Sequence, residues 1–362
     1  MHSHADNIYT PFSYSGVGSV KSAIRQWNKR RLHNRKSAAI AAGIAKTTAE
    51  QFGSAGLPVP AFRILASDTI VGATDMIIRK ENGQITVLFN GMTSKRHLFG
   101  HTRNKVAAYL HWFGQTSADI REILVDASDG NTPSTARYNY ATTSDAATPL
   151  PDPHFFRDYG YRATDHFAAN QAPAWDDRQD QIIWRGRLNN DGLFSLDPAL
   201  IDNPGVMQRL RMALKCKQSD VDFRFVSDSS VGVYDRILAD AGLIGGFVPT
   251  HDWGGMKYAI DIDGYTNAWC NFMQRLKLGC CVLKVASPFG YYQWYYHKLT
   301  AWEHFVPVRA DLSDLAEKVD WVRTHQKEAR DIAARGQAFA RSLTFESENQ
   351  VAVEAIEDRE KA

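Results

Sequence analysis

The feature that most constrains the fold is the second half of the chain, where short apolar runs alternate with helix-like segments. Ile182-Ile183-Trp184 and the stretches 221–226, 257–262, 281–285 and 305–308 read as strands. Helix patterns cover 206–215 and about 269–278, and Asp311-Leu312-Ser313-Asp314 gives an N-cap-like start for helices running to the C-terminus. Such alternation predicts a parallel α/β sheet, because parallel neighbours need a crossover that is usually helical. Ligands on parallel sheets bind beyond the carboxyl ends of the strands. Trp184-Arg185-Gly186, Asp129-Gly130 and Asp263-Gly264 all stand at such ends.

The first half is less regular. A helix is expected over about 19–52, with Val20, Ile24 and Trp27 on one face, Ile40 and Ile44 further on, and Gly53 as its stop. Met76-Ile77-Ile78 and the stretch 85–89 flank Asn82-Gly83, a strong hairpin signal. A helix at about 103–114 carries Val106, Leu110 and Phe113, and leads to a short buried strand, Ile123-Leu124-Val125. That strand ends in Asp126-Ala127-Ser128-Asp129-Gly130. Residues 131–180 are rich in Thr, Asp, Pro and aromatics with little periodicity, so a long irregular link between the halves is expected.

The 362 residues suggest about two domains at ~150 residues each. The net charge of +2 argues against a dedicated nucleic-acid binder, which carries a strong basic excess. The charge is uneven, however. No Asp or Glu lies between Asp6 and Glu50, while Lys21, Arg25, Lys29, Arg30, Arg31, Arg35 and Lys36 do. This basic 20–36 region is either a solvated helix face or a surface for an anionic membrane or glycan, where each basic residue contributes about 1 kcal/mol. Cys216, Cys270, Cys280 and Cys281 form no metal or redox spacing and fit a reducing compartment. Neither a signal peptide nor a membrane-spanning run is evident, so a cytoplasmic location is expected.

Several residues could carry chemistry. In Trp184-Arg185-Gly186-Arg187, glycine lets backbone N–H groups approach an anion and arginine supplies a bidentate fork; an ordinary surface turn is the alternative. Asp263-Gly264-Tyr265-Thr266-Asn267 precedes a helix, and a helix N-terminus is a natural phosphate site. Arg275 on that helix could reach the same anion, or it could sit in solvent on a helix packed through Trp269, Phe272 and Leu276. Asp129, closing a strand, could accept a proton from a hydroxyl or could simply form a turn with Gly130.

An ordered set of motifs in the second half is similar to glycosyltransferase family 90. The set comprises Trp184-Arg185-Gly186; Lys257-Tyr258 with the run 260–269; Val282-Leu283-Lys284-Val285; Gln293-Trp294-Tyr295-Tyr296; and the stretches 302–308 and 311–315. The form resembles bacterial, lipopolysaccharide-modifying members, and the first half matches more loosely. The usual proline before Trp302 is Ala301 here. The resemblance implies a GT-B-like fold, two Rossmann-like domains facing a central cleft. An acceptor-side domain over 1–175 would carry the base, a nucleotide-sugar domain would span 176–345, and a helix over 346–362 would pack back on the first.

The resemblance also implies an inverting, metal-independent transferase taking a UDP-sugar of the glucose or xylose class, with no other cofactor. Its acceptor would be a bacterial surface glycan such as lipopolysaccharide or capsule. A protein O-glycosyltransferase and an inactive glycan- or nucleotide-binding scaffold are the alternatives. By the same resemblance Asp129 is the base, with Asp126 as fallback, and Arg185 and Arg275 hold the diphosphate. Trp184, Gly186, Arg187, Asp263, Gly264, Asn267 and Trp269 complete the expected nucleotide-sugar site. Asp261-Ile262-Asp263 looks like the D-x-D metal motif of another glycosyltransferase fold, but Asp261 falls within an apolar-flanked strand, and no metal site is expected.

Overall fold

The computed structural model describes residues 16–92, 102–217 and 219–362, with side chains described from Lys36 onward. The side chains of the basic 20–36 region, Lys36 apart, therefore lie outside the described residues. The long first helix, α1 (Gly16–Ala55), brings Ile40, Ile44 and Phe52 into the core.

The first sheet holds β1 (Phe62–Ser67), β2 (Asp75–Glu81), β3 (Gln84–Asn90), β4 (Glu122–Asp126), β5 (Tyr138–Asn139) and β6 (Thr148–Pro149), in the order β1-β3-β2-β4-β5-β6. Asn82-Gly83 makes the two-residue turn, with Glu81 opposite Gln84. That turn forces β2 antiparallel to β3, and β2 is antiparallel to β4 as well. The remaining pairings are parallel. The sheet is thus mixed, unlike the parallel sheet that a Rossmann-like first domain would have. A two-residue connection cannot make a parallel crossover. Every strand except β2 nonetheless points the same way, so β4 delivers Asp126 and the following loop to one edge of the sheet.

α2 (Val106–Gly114) is apolar nearly all round, and Tyr109, Trp112 and Phe113 are fully buried beneath this sheet. Each such side chain contributes roughly 1.5–3 kcal/mol through burial. The stretch expected to be irregular contains β5, β6 and two helices, α3 (Pro153–Arg157) and α4 (Arg162–Asn170). The Asp152 carboxylate caps α3, accepting from the N–H groups of His154 and Phe155 at 2.7 and 3.0 Å. A side-chain cap of this kind organises a helix too short to show periodicity.

The second sheet is parallel throughout. It comprises β7 (Gln179–Gly186), β8 (Asp222–Val226), β9 (Ile244–Gly245), β10 (Met256–Asp261), β11 (Cys281–Val285) and β12 (Val306–Val308). Its order is β12-β11-β10-β7-β8-β9. Numbered from β7, this is the doubly wound order 3-2-1-4-5-6, whose direction reverses between β7 and β10. Period-two alternation divides its side chains between two cores. Ile183, Ala259 and Val282 join a core continuous with the first sheet. Ile182, Trp184, Tyr258, Ile260 and Leu283 face the other side, which is covered by α5 (Gln208–Cys216), α8 (Leu315–Thr324) and α9 (Gln326–Ser342). Two further helices are α6 (Val233–Asp240) after β8 and α7 (Cys270–Lys277) after β10. The last helix, α10 (Phe345–Lys361), returns to the first sheet. The Tyr138 hydroxyl donates to Glu360 at 2.8 Å, and the Ser117 N–H donates to Glu357 at 2.7 Å.

Candidate active site

A cleft of about 510 Å³ lies where β7 and β10 diverge, within the usual size range of small-ligand pockets. Its walls come from both sheets. The second sheet supplies Trp184 and 186–189 after β7, Asp228, Ser230 and Val231 after β8, and 264–269 after β10. The first sheet's side contributes Lys105, Asp129, His154 and Arg157.

The floor is organised by Arg209 in the first turn of α5. Its guanidinium donates to the carbonyl of Arg187 at 2.8 Å and to that of Ile262 at 3.0 Å, joining the loops after β7 and β10. It also lies 5.2 Å from the centre of the Trp184 ring. Burial lowers its pKa to about 10, partly offset by Asp263 and Asp261, so it stays cationic at neutral pH. Its Nε has no hydrogen-bond partner among the described residues. Asn190 completes the clamp, accepting from the Arg209 N–H at 3.0 Å and donating to the Gly264 carbonyl at 2.9 Å. Gly264 must be small, because a Cβ there would stand 2.8 Å from the Asn189 carbonyl oxygen and 3.1 Å from the Arg209 guanidinium.

Trp184, Gly186, Arg187, Gly264, Asn267 and Trp269 all line this cleft. Arg185, Asp263 and Arg275 do not, which corrects their expected position. Arg185 points to the opposite face of β7 from Trp184 and Gly186, as strand alternation dictates. Its guanidinium pairs with Asp222 at 2.5 Å and donates to the Gly246 carbonyl at 3.1 Å. Arg275 is buried against Trp253, with its guanidinium carbon 3.6 Å from the ring centre. Burial lowers its pKa to about 10, with Cys280, Cys270 and Asp261 opposing.

Asp263 turns inward, where Lys284 lies 2.7 Å from Asp261 and 3.2 Å from Asp263. Burial opposes the Lys284 charge, but the two carboxylates more than offset it and raise its pKa. The ammonium thus takes the position between Asp261 and Asp263 that a metal cation would need. Among the described residues, no group of three or more His, Cys, Asp or Glu side chains is arranged to hold a metal ion.

Opposite this floor, Asp129 follows β4 in a loop built by Asp126. The Asp126 carboxylate accepts from Thr74 at 2.8 Å and from the Ser128 N–H and hydroxyl at 2.7 and 2.5 Å. Burial raises its pKa, while the Ser128 and Thr74 bonds and Lys105 oppose that rise. Asp126, expected as the fallback base, is buried, committed to the loop and not among the residues that line the cleft. Gly130 follows with φ of +96°, and a Cβ there would meet the Ala141 carbonyl oxygen at 2.3 Å.

Asp129 itself is one-third exposed and pairs with Lys105 at 2.5 Å. Burial lowers the Lys105 pKa, while Asp129 and then Asp126 oppose this. The Lys105 ammonium lies 4.9 Å from the Trp269 ring centre, linking the two walls. Trp269 adopts φ of +37°, a costly conformation for a non-glycine residue at the mouth of α7. His154 also lines the cleft; burial lowers its pKa, with Asp152 opposing, and keeps the imidazole neutral.

Arg209, His154 and Lys105 also line the cleft and were not singled out in the sequence. The Asp152-Pro153-His154 cap was a signal for the second. Nothing in the sequence pattern tied Arg209 back across the long connection after β7.

Residues 244–349 match the family model described as Glycosyl transferase family 90. Human Protein O-glucosyltransferase 3 is 31% identical over 175 residues, 48% of this chain and 30% of that protein. Danio rerio Protein O-glucosyltransferase 2 is 29% identical over 170 residues, 47% of this chain and 30% of that protein. Uncharacterized protein 179R of Invertebrate iridescent virus 6 is 38% identical over 88 residues, 23% of this chain and 7% of that protein. The chain thus spans less than a third of the length of these relatives. Among solved structures, Anabaena Alr3699/HepE in complex with UDP-glucose is similar at 13% identity. Its TM-score is 0.32, covering 56% of this chain and 52% of that one.

Proposed function

We propose that this chain is a glycosyltransferase that moves a sugar from a UDP-sugar to a hydroxyl group in the cleft between its two sheets. The observation that carries the reading is the meeting of strand ends. The switch point of a doubly wound sheet, where nucleotides bind, opens toward a carboxylate delivered by the other sheet. The family match over 244–349 supports the transferase class. On this reading the sheets belong to a GT-B-like pair of units, an acceptor side over about 1–175 and a donor side over 176–345. The 346–362 helix ties them together.

Asp129 takes the proton of the attacking hydroxyl as it displaces UDP with inversion. Lys105 holds the carboxylate toward the cleft. Negative charge then grows on the departing diphosphate. Arg209 stabilises it from the floor and Arg187 from the wall, with the backbone N–H groups around Gly186 and Gly264. These cations, not Arg185 and Arg275, do the work expected of a metal-independent site. No other cofactor is invoked.

The names of the matched relatives favour a glucosyl donor and a protein hydroxyl over a surface glycan such as lipopolysaccharide or capsule. The four free cysteines fit a reducing, cytoplasmic setting. Among the described residues no helix is long and apolar enough to cross a membrane. Contact of the 20–36 region with an anionic membrane remains part of the proposal. The test is UDP release from UDP-glucose and UDP-xylose, with peptide, protein and glycan acceptors offered in parallel. Acceptor-stimulated release is expected, and its absence from every pairing would sink the reading.

A further inference from the structure

Asp228 lies two residues beyond β8, the strand next to β7 on the side away from β10. In dinucleotide-binding sheets of this order, an acidic residue that follows the Gly-rich first turn hydrogen-bonds the ribose 2′-hydroxyl, and Asp228 stands at the equivalent strand end, though further along the chain. Several details prepare Asp228 for that role. One carboxylate oxygen accepts from the Ser230 N–H at 3.0 Å and the Ser230 hydroxyl at 2.6 Å. The Asp235 carboxylate pins the loop from below, accepting from the Asp228 N–H at 2.9 Å and from the Ser227 hydroxyl at 2.8 Å. Asp228 lines the cleft, and its second carboxylate oxygen pairs with Arg187 at 3.4 Å.

The two partners differ in freedom. The Asp228 side chain is 13% exposed and fixed, whereas that of Arg187 is 64% exposed. The Arg187 backbone is nonetheless held by the Arg209 guanidinium donating to its carbonyl. Its side chain can therefore exchange partners without moving the loop.

Building on the UDP-sugar reading, we infer that Asp228 is the ribose-recognition residue of the cleft and that Arg187 covers it until the donor arrives. On binding, the Arg187 guanidinium leaves Asp228 for the diphosphate, and the ribose hydroxyls take its place on the carboxylate. The exchange keeps the carboxylate paired in both states, so neither state leaves a half-buried charge without a partner. It also makes affinity depend on ribose and diphosphate together.

Binding of UDP, 2′-deoxy-UDP and UMP to the full chain, measured by calorimetry, separates the two roles. Wild type should prefer UDP over 2′-deoxy-UDP by about tenfold, as expected for a hydrogen bond to a charged acceptor. Asp228→Asn, which keeps a good helix-capping side chain, should shrink that preference to about twofold while retaining the preference for UDP over UMP. Arg187→Ala should do the reverse. Thermal unfolding of each variant confirms that it is folded. An unchanged 2′-deoxy preference in Asp228→Asn, with UDP still bound, would overturn this assignment alone. Failure of the wild-type chain to bind UDP would overturn the donor reading and this assignment with it.

Discussion

Replacing Asp129 with Asn should separate two consequences of a single carboxylate. Asp129 lies 2.5 Å from the Lys105 ammonium, and the lysine side chain is only 4% exposed. Breaking a fully buried pair costs about 3–5 kcal/mol. Because Asp129 is one-third exposed, solvent screens part of the loss and the amide oxygen still accepts, so about 1–2 kcal/mol is expected. For a chain of 362 residues that corresponds to a fall of roughly 1–3 °C in Tm. Loss of the general base should lower acceptor-dependent turnover by about 10²–10⁴-fold.

The two effects part company in the double variant Asp129→Asn with Lys105→Met. Removing the stranded ammonium should restore much of the stability but none of the turnover. The assay is UDP release, alongside thermal unfolding and UDP affinity, which should change little. Turnover in Asp129→Asn within about threefold of wild type would refute the reasoning, being far smaller than a general-base loss. The proton acceptor would then be sought at His154, whose imidazole is neutral on the same wall.

Three further outcomes follow from the geometry. Arg209→Met should weaken UDP binding by about ten- to a hundredfold, as for loss of a hydrogen bond to a charged group, whereas Arg185→Ala should change it less than about threefold and only lower stability; calorimetric titration decides between them. Gly264→Ala should displace Asn189 or Arg209, lowering stability by about 1–3 kcal/mol and UDP affinity with it, read by urea unfolding and titration. Burial lowers the His111 pKa to about 4, partly offset by a hydrogen bond with Asn349. The unfolded chain therefore binds a proton below about pH 6.5 that the folded chain refuses, and stability falls between pH 6.5 and 4. His111→Phe should remove roughly 1–2 kcal/mol of the loss seen on going from pH 7.5 to 5, measured from urea midpoints.

The second sheet was legible because its signals are local. Apolar runs near Ile183, Ala259 and Val282 set the strands, and turn residues stand at their ends. Asn82-Gly83 likewise marked its hairpin. The mixed first sheet followed from that same turn, but the pairing of β2 with β4 is a long-range choice that no local pattern encodes. The segment 131–180 hid its helices because α3 is five residues long and depends on the Asp152 cap.

At the cleft, the sequence placed the loops after β7 and β10 but not the side chains of Arg185 and Arg275, which lie outside its lining. Trp184 and Gly186 share one face of β7, so alternation alone could have sent Arg185 to the other. Arg275 stands beside the buried Phe272, Met273 and Leu276 on α7, which pointed as much to burial as to the cleft. Arg209 was out of reach, because only the folded connection between β7 and α5 brings it beneath Gly264.

The most direct test of the central claim is an experimental structure of the chain bound to UDP. The account predicts the diphosphate between the loops after β7 and β10, within hydrogen-bonding distance of Arg209 and Arg187. A diphosphate held by Arg185 or Arg275, or bound away from the β7–β10 switch point, would contradict it.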